Sequence, residues 1–159
     1  MAKEIERKFL VTGDGWRGRV AGTPYQQGYI RTTYPGQTVR VRIAGMDGYL
    51  TLKGPTKGIT RSEFEYSIPV ADAQEMLKTM CDRPLIEKIR YRLPVGELIW
   101  EIDEFSGENA GLIVAEVELA SETQEIEIPD WLGKEVSGDS RYYNANLSKQ
   151  PYCTWTQAD

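Results

Sequence analysis

Glu4-Ile5-Glu6-Arg7-Lys8-Phe9-Leu10-Val11 places Glu4, Glu6 and Lys8 at alternate positions. Side chains of a β-strand alternate between faces, so these three share one face and Ile5 and Phe9 share the other. Two carboxylates side by side repel unless a cation sits between them, and the ammonium suits a neighbouring anion. A solvated edge strand carries such a face as well. The meaning of the stretch depends on whether the rest of the chain repeats it.

It does. Val39, Val41 and Ile43 alternate with Arg40 and Arg42 over Thr38 to Ala44. Gly45-Met46-Asp47-Gly48 reads as a hairpin turn, with Asp47-Gly48 the familiar signal, and Tyr49 to Lys53 is the return strand. Arg61 to Ile68 alternates Arg61, Glu63 and Glu65 with Phe64, Tyr66 and Ile68. Ile86 to Leu93 carries Lys88, Arg90 and Arg92 on one face. Leu98 to Phe105 carries Glu101 and Asp103, and Leu112 to Leu119 carries Glu116 and Glu118. Tyr25 to Thr33 adds a further strand, ended by Tyr34-Pro35-Gly36. Ala73, Met76, Leu77 and Met80 fall at helical spacing and predict a helix over Asp72 to Met80. A short helix is expected near Trp16, another from Pro129-Asp130-Trp131-Leu132, and one over Ser140 to Lys149. Trp16, Trp131 and Trp155 read as packing residues, and the end of the chain, Trp155 to Asp159, as a fraying terminus.

The pattern is mainly β, in the α+β class: eight strands, most joined by short turns, with a few flanking helices. Short turns favour antiparallel neighbours. Eight antiparallel strands close into a barrel or split into a sandwich. The 159 residues fit a single domain, 1–159, with 129–159 as a helical carboxy-terminal segment of it.

Composition narrows the chemistry. There is no histidine, which removes Ser-His-Asp and Cys-His catalysis and histidine zinc sites. Cys81 and Cys153 form no CxxC, and with no apolar leader they fit reduced thiols in a cytoplasmic protein. A formal net charge of −5 argues against a nucleic-acid partner, and no stretch is apolar enough for a membrane span. Gly54-Pro55-Thr56-Lys57-Gly58 lacks the P-loop signature and reads as a loop.

The charged faces admit two placements. They face water around an apolar core, or they line a common wet cavity with the apolar faces covered from outside. The second arrangement needs paired charges, because an unpaired buried charge costs several kcal/mol. Its cations would suit a multiply charged anion and its carboxylates a divalent metal, together a metal-bound polyphosphate. Alternation alone leaves both placements open.

Glu4-x-Glu6-x-Lys8 resembles the hallmark of the CYTH superfamily, the triphosphate tunnel metalloenzymes. Gln27-Gly28-Tyr29, Val39 to Arg42, Thr51-Leu52-Lys53, Glu63-Phe64-Glu65, Lys88-Ile89-Arg90, Trp100 to Phe105, Ala115 to Glu118 and Gly133 to Tyr142 resemble that family in order and spacing, over nearly the whole chain. The resemblance implies an eight-stranded closed antiparallel tunnel with the charges in its lumen. It implies Glu4, Glu6, Glu116 and Glu118 as ligands of Mg²⁺ or Mn²⁺. It implies Lys8, Arg40, Arg42, Lys53, Lys88 and Arg90 as phosphate-binding cations, and a catalytic set of Glu4, Glu6, Lys8 and Lys88. Glu63, Glu65, Glu101 and Asp103 support the lumen, by pairing with its cations or by helping with metal and water. Arg61, Arg92 and Arg141 are expected in structural ion pairs.

Compact members of the family are short-chain triphosphatases, so the expected reaction is metal-dependent hydrolysis of the terminal phosphate of inorganic triphosphate. Thiamine triphosphate hydrolysis and a class IV adenylate cyclase reaction are alternatives. A binding module that grips polyphosphate without turnover is a third reading. Apolar outer strand faces without a helical cover fit a homodimer.

Overall fold

The computed structural model describes residues 3–155. Eight strands form a closed antiparallel barrel: β1 (Lys3–Val11), β2 (Gly22–Ile30), β3 (Thr38–Ala44), β4 (Asp47–Lys53), β5 (Thr60–Ile68), β6 (Ile86–Val95), β7 (Leu98–Phe105) and β8 (Ile113–Glu118). Their order around the wall is β5-β4-β3-β2-β6-β7-β8-β1, and β1 closes it by pairing back onto β5. β1 is the seam. Lys3 to Ile5 pair with Ser62 to Thr60, and Glu6 to Leu10 pair with Glu118 to Val114. A ninth strand, β9 (Leu132–Glu135), adds to β1 at Phe9 and Val11.

Several expectations change. Pro129 to Leu132 is a turn, with Leu132 N–H donating to the Pro129 carbonyl at 3.1 Å, and it leads into β9 instead of a helix. Proline followed by aspartate is a helix-start signal, but the edge of β1 was available, and its ladder bonds outweigh local preference. The segment around Trp16 is a series of turns, not a helix. The β3–β4 hairpin turn, expected over Gly45 to Gly48, tightens to Gly45-Met46, with Ala44 paired to Asp47 and Asp47-Gly48 already in β4. Gly45 has φ +62° and Met46 a negative φ, the glycine-first pattern of a II′ turn. Gly48 is needed for another reason: a Cβ there would lie 2.9 Å from the Ile68 carbonyl oxygen and 3.1 Å from Ala73 Cβ. The expected helix is α1 (Val70–Thr79). The expected carboxy-terminal helix shrinks to a 3₁₀ turn over Ser140–Tyr142 and the single turn α2 (Asn144–Leu147).

The apolar strand faces point outward and are covered piecemeal. α1 lays Ala73 and Leu77 over Val41 of β3. The loops after β1 and β8 bring Trp16 and Trp131 over Phe9, Leu93, Trp100, Ile102, Ala115 and Val117. Trp100 is fully buried, edge-on to Phe9 and Trp131 with centroids 5.7 and 5.9 Å away. Leu52, Phe64 and Tyr66, on the outer face of β4 and β5, stay exposed. Trp155, expected to fray, packs on Tyr142 and Tyr152; residues 156–159 lie outside the described chain.

One end of the barrel is filled. Leu10, Ile86, Phe105 and Val114 continue the inward-facing rows of their strands, but they are apolar. They pack with Val136, Tyr142 and Leu147 of the carboxy-terminal segment, which stops that end. Charge is confined to the remaining lumen.

Trp100→Ala should cost about 3–5 kcal/mol of unfolding free energy, as other large-to-small core substitutions do. Urea unfolding measures it. A loss below about 1 kcal/mol would remove Trp100 from the centre of the outer core.

Candidate active site

The lumen is a cavity of about 840 Å³ lined from all eight strands. Each expected charged site residue reaches it or its wall, because strand alternation keeps one row of every strand inward. The pairing register then fixes which meet. Glu6 lies opposite Glu118, Lys8 opposite Glu116, Arg90 opposite Asp103 and Lys53 opposite Glu63.

The acidic wall is β1 with its neighbours β5 and β8. Glu4 accepts from Lys53 Nζ at 3.0 Å through both oxygens, and Lys53 also reaches Glu63 at 3.3 Å. Burial opposes ionisation of Glu4, but Lys53 and a hydrogen bond to Glu63 outweigh it and hold its carboxyl below the usual range. The cost falls on Glu63, raised to about 7 by burial and by that carboxyl–carboxyl contact. Glu116 is 3.4 Å from Lys8 Nζ. Burial disfavours its charge, yet Lys8, Arg90 and Lys88 keep it well below the usual carboxylate range. For Glu6 the help of Lys8 and Lys53 is outweighed. Burial first, then Glu116 and Glu4, push its carboxyl up to about 8. Glu118 sits at the exposed end of this wall, raised by burial and then by Glu4 and Glu101.

The basic wall is β2, β3 and β6 across the lumen. Arg90 makes a bidentate bond to Asp103, 2.7 and 2.8 Å, and reaches Glu101 at 3.4 Å. Lys88 shares the same Asp103 at 2.8 Å, so one fully buried carboxylate serves two cations. Burial, countered by Asp103 but reinforced by Arg90 and Arg42, brings the Lys88 ammonium down to about 7. Arg40 donates to Thr51 Oγ1 at 3.3 Å and Glu65 at 3.5 Å, and its Nε is buried with no partner. Among the buried lumen cations of the described residues, Arg42 alone has no carboxylate within salt-bridge distance. Burial, then Arg40 and Arg90, push its guanidinium down to about 9, still charged at neutral pH.

Several lumen residues carry no charge and escaped the alternation argument. The Tyr25 ring lies under Arg42, Arg90 and Lys88 at 4.9, 5.0 and 5.9 Å. Gln27 Oε1 accepts from Arg42 Nε at 2.9 Å. Asn144 of α2 accepts from Lys88 Nζ at 3.0 Å, and the Tyr142 carbonyl accepts from Lys8 Nζ at 3.1 Å. Their phase in β2 marked Tyr25 and Gln27; nothing in the sequence marked Asn144, which arrives by tertiary packing. Arg61 is a clamp on backbone: it donates to the Gly54 and Gly36 carbonyls at 2.9 and 3.1 Å and pins the two loops at the cavity mouth. Arg92 pairs with Glu101 and Arg141 with Asp139, both as expected of structural pairs.

Among the described residues no three acidic or cysteine side chains already form a metal cage. A hard divalent ion such as Mg²⁺ usually takes one or two carboxylates plus phosphate oxygens and waters, so an open set fits it. Glu6 supports the fit. Its carboxyl is crowded by two others, and a cation beside it would relieve the repulsion.

A barrel that turns its charge inward, acidic on one wall and basic on the other, is a tunnel built to grip a polyanion with its counter-ion. The chain belongs to the CYTH domain family, whose model matches residues 2–151. It is 50% identical to an inorganic triphosphatase of Acetivibrio thermocellus over 96% of this chain and 97% of that protein. It is 39% identical to an inorganic triphosphatase of Nitrosomonas europaea, over 91% and 96% respectively. A solved inorganic triphosphatase structure superposes with a TM-score of 0.66 at 33% identity, covering 91% of this chain and 96% of that one. A putative adenylate cyclase from Bacillus halodurans, at 20% identity and TM-score 0.55 over 77% and 84%, shares the fold. No helix among the described residues is long and apolar enough to cross a membrane.

Glu6 gives a pH test. Its folded value lies above the ordinary 4.5, so between 4.5 and about 8 the folded state holds a proton the unfolded chain lacks. Stability from this group is present below 4.5 and lost as pH rises toward 8. Lys88, lowered, acts in the opposite sense between about 7 and 10.5. A cation competes with the proton on Glu6, and with that on Glu118, whose carboxyl is also raised. The Tm gain on adding Mg²⁺ should be larger at pH 9 than at pH 6, and Glu6→Gln should reduce that pH dependence. Equal gains at both pH values would take Glu6 out of the metal site.

Proposed function

We propose that this protein is a divalent-metal-dependent triphosphatase that hydrolyses inorganic triphosphate to pyrophosphate and orthophosphate. The carrying observation is geometric: Glu6 lies opposite Glu118 on the acidic wall, and Arg42 on the basic wall has no carboxylate within salt-bridge distance among the described residues. Each wall is short of a counter-ion, and a metal-bound polyphosphate supplies both. The two curated relatives named inorganic triphosphatase support the substrate.

In this reading Lys8, Arg40, Arg42, Lys53, Lys88 and Arg90 bind the phosphate oxygens. The arginines offer forked donors, and the Arg40 Nε lacking a partner is one of them. Glu4, Glu6, Glu116 and Glu118 would hold Mg²⁺ or Mn²⁺. When bound, the ion supplies Lewis-acid neutralisation of charge on the phosphate oxygens. Asp103, Glu101, Glu63 and Glu65 keep the cations aimed into the lumen, as their pairs with Arg90, Lys88, Lys53 and Arg40 suggest. Water adds to the terminal phosphorus in line with the bridging oxygen. That P–O bond breaks, and pyrophosphate leaves as orthophosphate forms, while Lys8 and Lys88 offset the developing negative charge. The partner is a small molecule, met in the cytoplasm; neither nucleic acid nor a membrane surface is required.

The test is product analysis. Purified protein with Mg²⁺ or Mn²⁺ should release orthophosphate and pyrophosphate from inorganic triphosphate. Cyclic AMP from ATP would establish the cyclase instead, and tight binding without turnover a binding module. Glu6→Gln should lower kcat by about 10²-fold or more with Tm at or above wild type, because a crowded buried carboxyl is removed. Near-normal turnover in Glu6→Gln would sink the metal assignment.

A further inference from the structure

Two neutral side chains connect the cations of the basic wall. Gln27 is fully buried. Its Oε1 accepts from Arg42 Nε at 2.9 Å, and its Nε2 donates to Tyr29 Oη at 2.9 Å and to Asn144 Oδ1 at 3.3 Å. The same Asn144 oxygen accepts from Lys88 Nζ at 3.0 Å. Guanidinium and ammonium groups only donate, so Arg42 dictates which end of Gln27 is oxygen and Lys88 dictates which end of Asn144 is. The chain Arg42–Gln27–Asn144–Lys88 therefore has one consistent orientation.

The choice of amides matters. The other buried lumen cations each reach a carboxylate, as Lys8 reaches Glu116 beside the Tyr142 carbonyl, and Lys53 is held by Glu4. A carboxylate fixes a cation and cancels its charge. An amide oxygen fixes it and leaves the charge in place. Arg42 has only the amide, and Lys88 has the amide plus an Asp103 already engaged by Arg90. Asn144 also begins the short helix whose Leu147 packs in the apolar plug.

We propose that Gln27 and Asn144 are positioning residues that hold Arg42 and Lys88 through neutral acceptors, keeping their charge available for the phosphates of the triphosphate substrate, and that Asn144 ties this alignment to the seating of the carboxy-terminal segment. The inference rests on the triphosphatase reading.

Gln27→Glu and Asn144→Asp test it, since each is nearly isosteric and converts the amide to a carboxylate. The new charge competes with substrate phosphate for the same cation. KM for inorganic triphosphate should rise about tenfold, a loss of about 1.4 kcal/mol, with a smaller change in kcat. Calorimetric binding of triphosphate under chelator should weaken in parallel. Tm of Asn144→Asp should be unchanged or higher, because Lys88 gains a carboxylate; Gln27→Glu gains an ion pair with Arg42 but loses the Nε2 donor to Asn144 Oδ1, so its affinity is compared in folded protein. A merely structural role predicts the opposite link, with affinity lost only where Tm is lost. Should Gln27→Glu fail to fold, Asn144→Asp, at a partly exposed position, carries the test alone. If wild-type protein turns over triphosphate and the folded variants match its KM, this inference falls and the triphosphatase reading stands. If wild-type protein neither binds nor hydrolyses triphosphate, both fall.

Discussion

Every charge inside the barrel needs a counter-charge within reach, because desolvating an ion costs several kcal/mol and only close pairing offsets it. The register of the strands meets that demand. Lys53 lies between Glu4 and Glu63, Lys8 faces Glu116, and Asp103 holds both Arg90 and Lys88. What remains unmet is informative. Glu6 lies opposite Glu118, and Arg42, on the opposite wall, has no carboxylate within salt-bridge distance among the described residues. In the proposed reading these positions receive a cation toward β1 and a polyanion toward β3 and β6.

Turning charge inward leaves the outer wall apolar, and the rest of the chain answers that problem. Connecting segments do most of the work. Trp16 and Trp131 come from loops, and α1 covers only the patch around Val41. β9 lies on an edge of β1 that the short β1–β5 seam leaves open. The carboxy-terminal segment fills one end with Tyr142 and Leu147, and in the same few residues delivers Asn144 to Lys88. Closing the barrel end and completing the basic wall are therefore one structural event.

Much of this was legible beforehand. Period-two alternation placed Glu4, Glu6 and Lys8 on one face and separated the charged row of most strands from the apolar one, because a strand's geometry is local. The α1 helix followed from its own spacing. What misled were signals read without their neighbours. Pro129-Asp130 starts no helix because β1 offers an edge to Leu132–Glu135. The turn expected over Gly45 to Gly48 closes within its first two residues, and Gly48 is glycine for close approach to Ala73.

The sequence by itself determined the strands, the two faces of each and the residue types available for chemistry, histidine excluded. It did not determine which face looked inward. An alternating strand is equally regular with its charges in water or in a lumen, and its own residues cannot tell the two apart. Barrel closure decided that, by facing the charged rows of the strands at one another. Tertiary packing alone decided the rest: that Arg42 would rest on an amide while Lys53 rests on carboxylates, and that Asn144, over a hundred residues from Gln27, would join them. Those contacts depend on which strands and segments become neighbours, a property of the closed barrel that no single stretch contains.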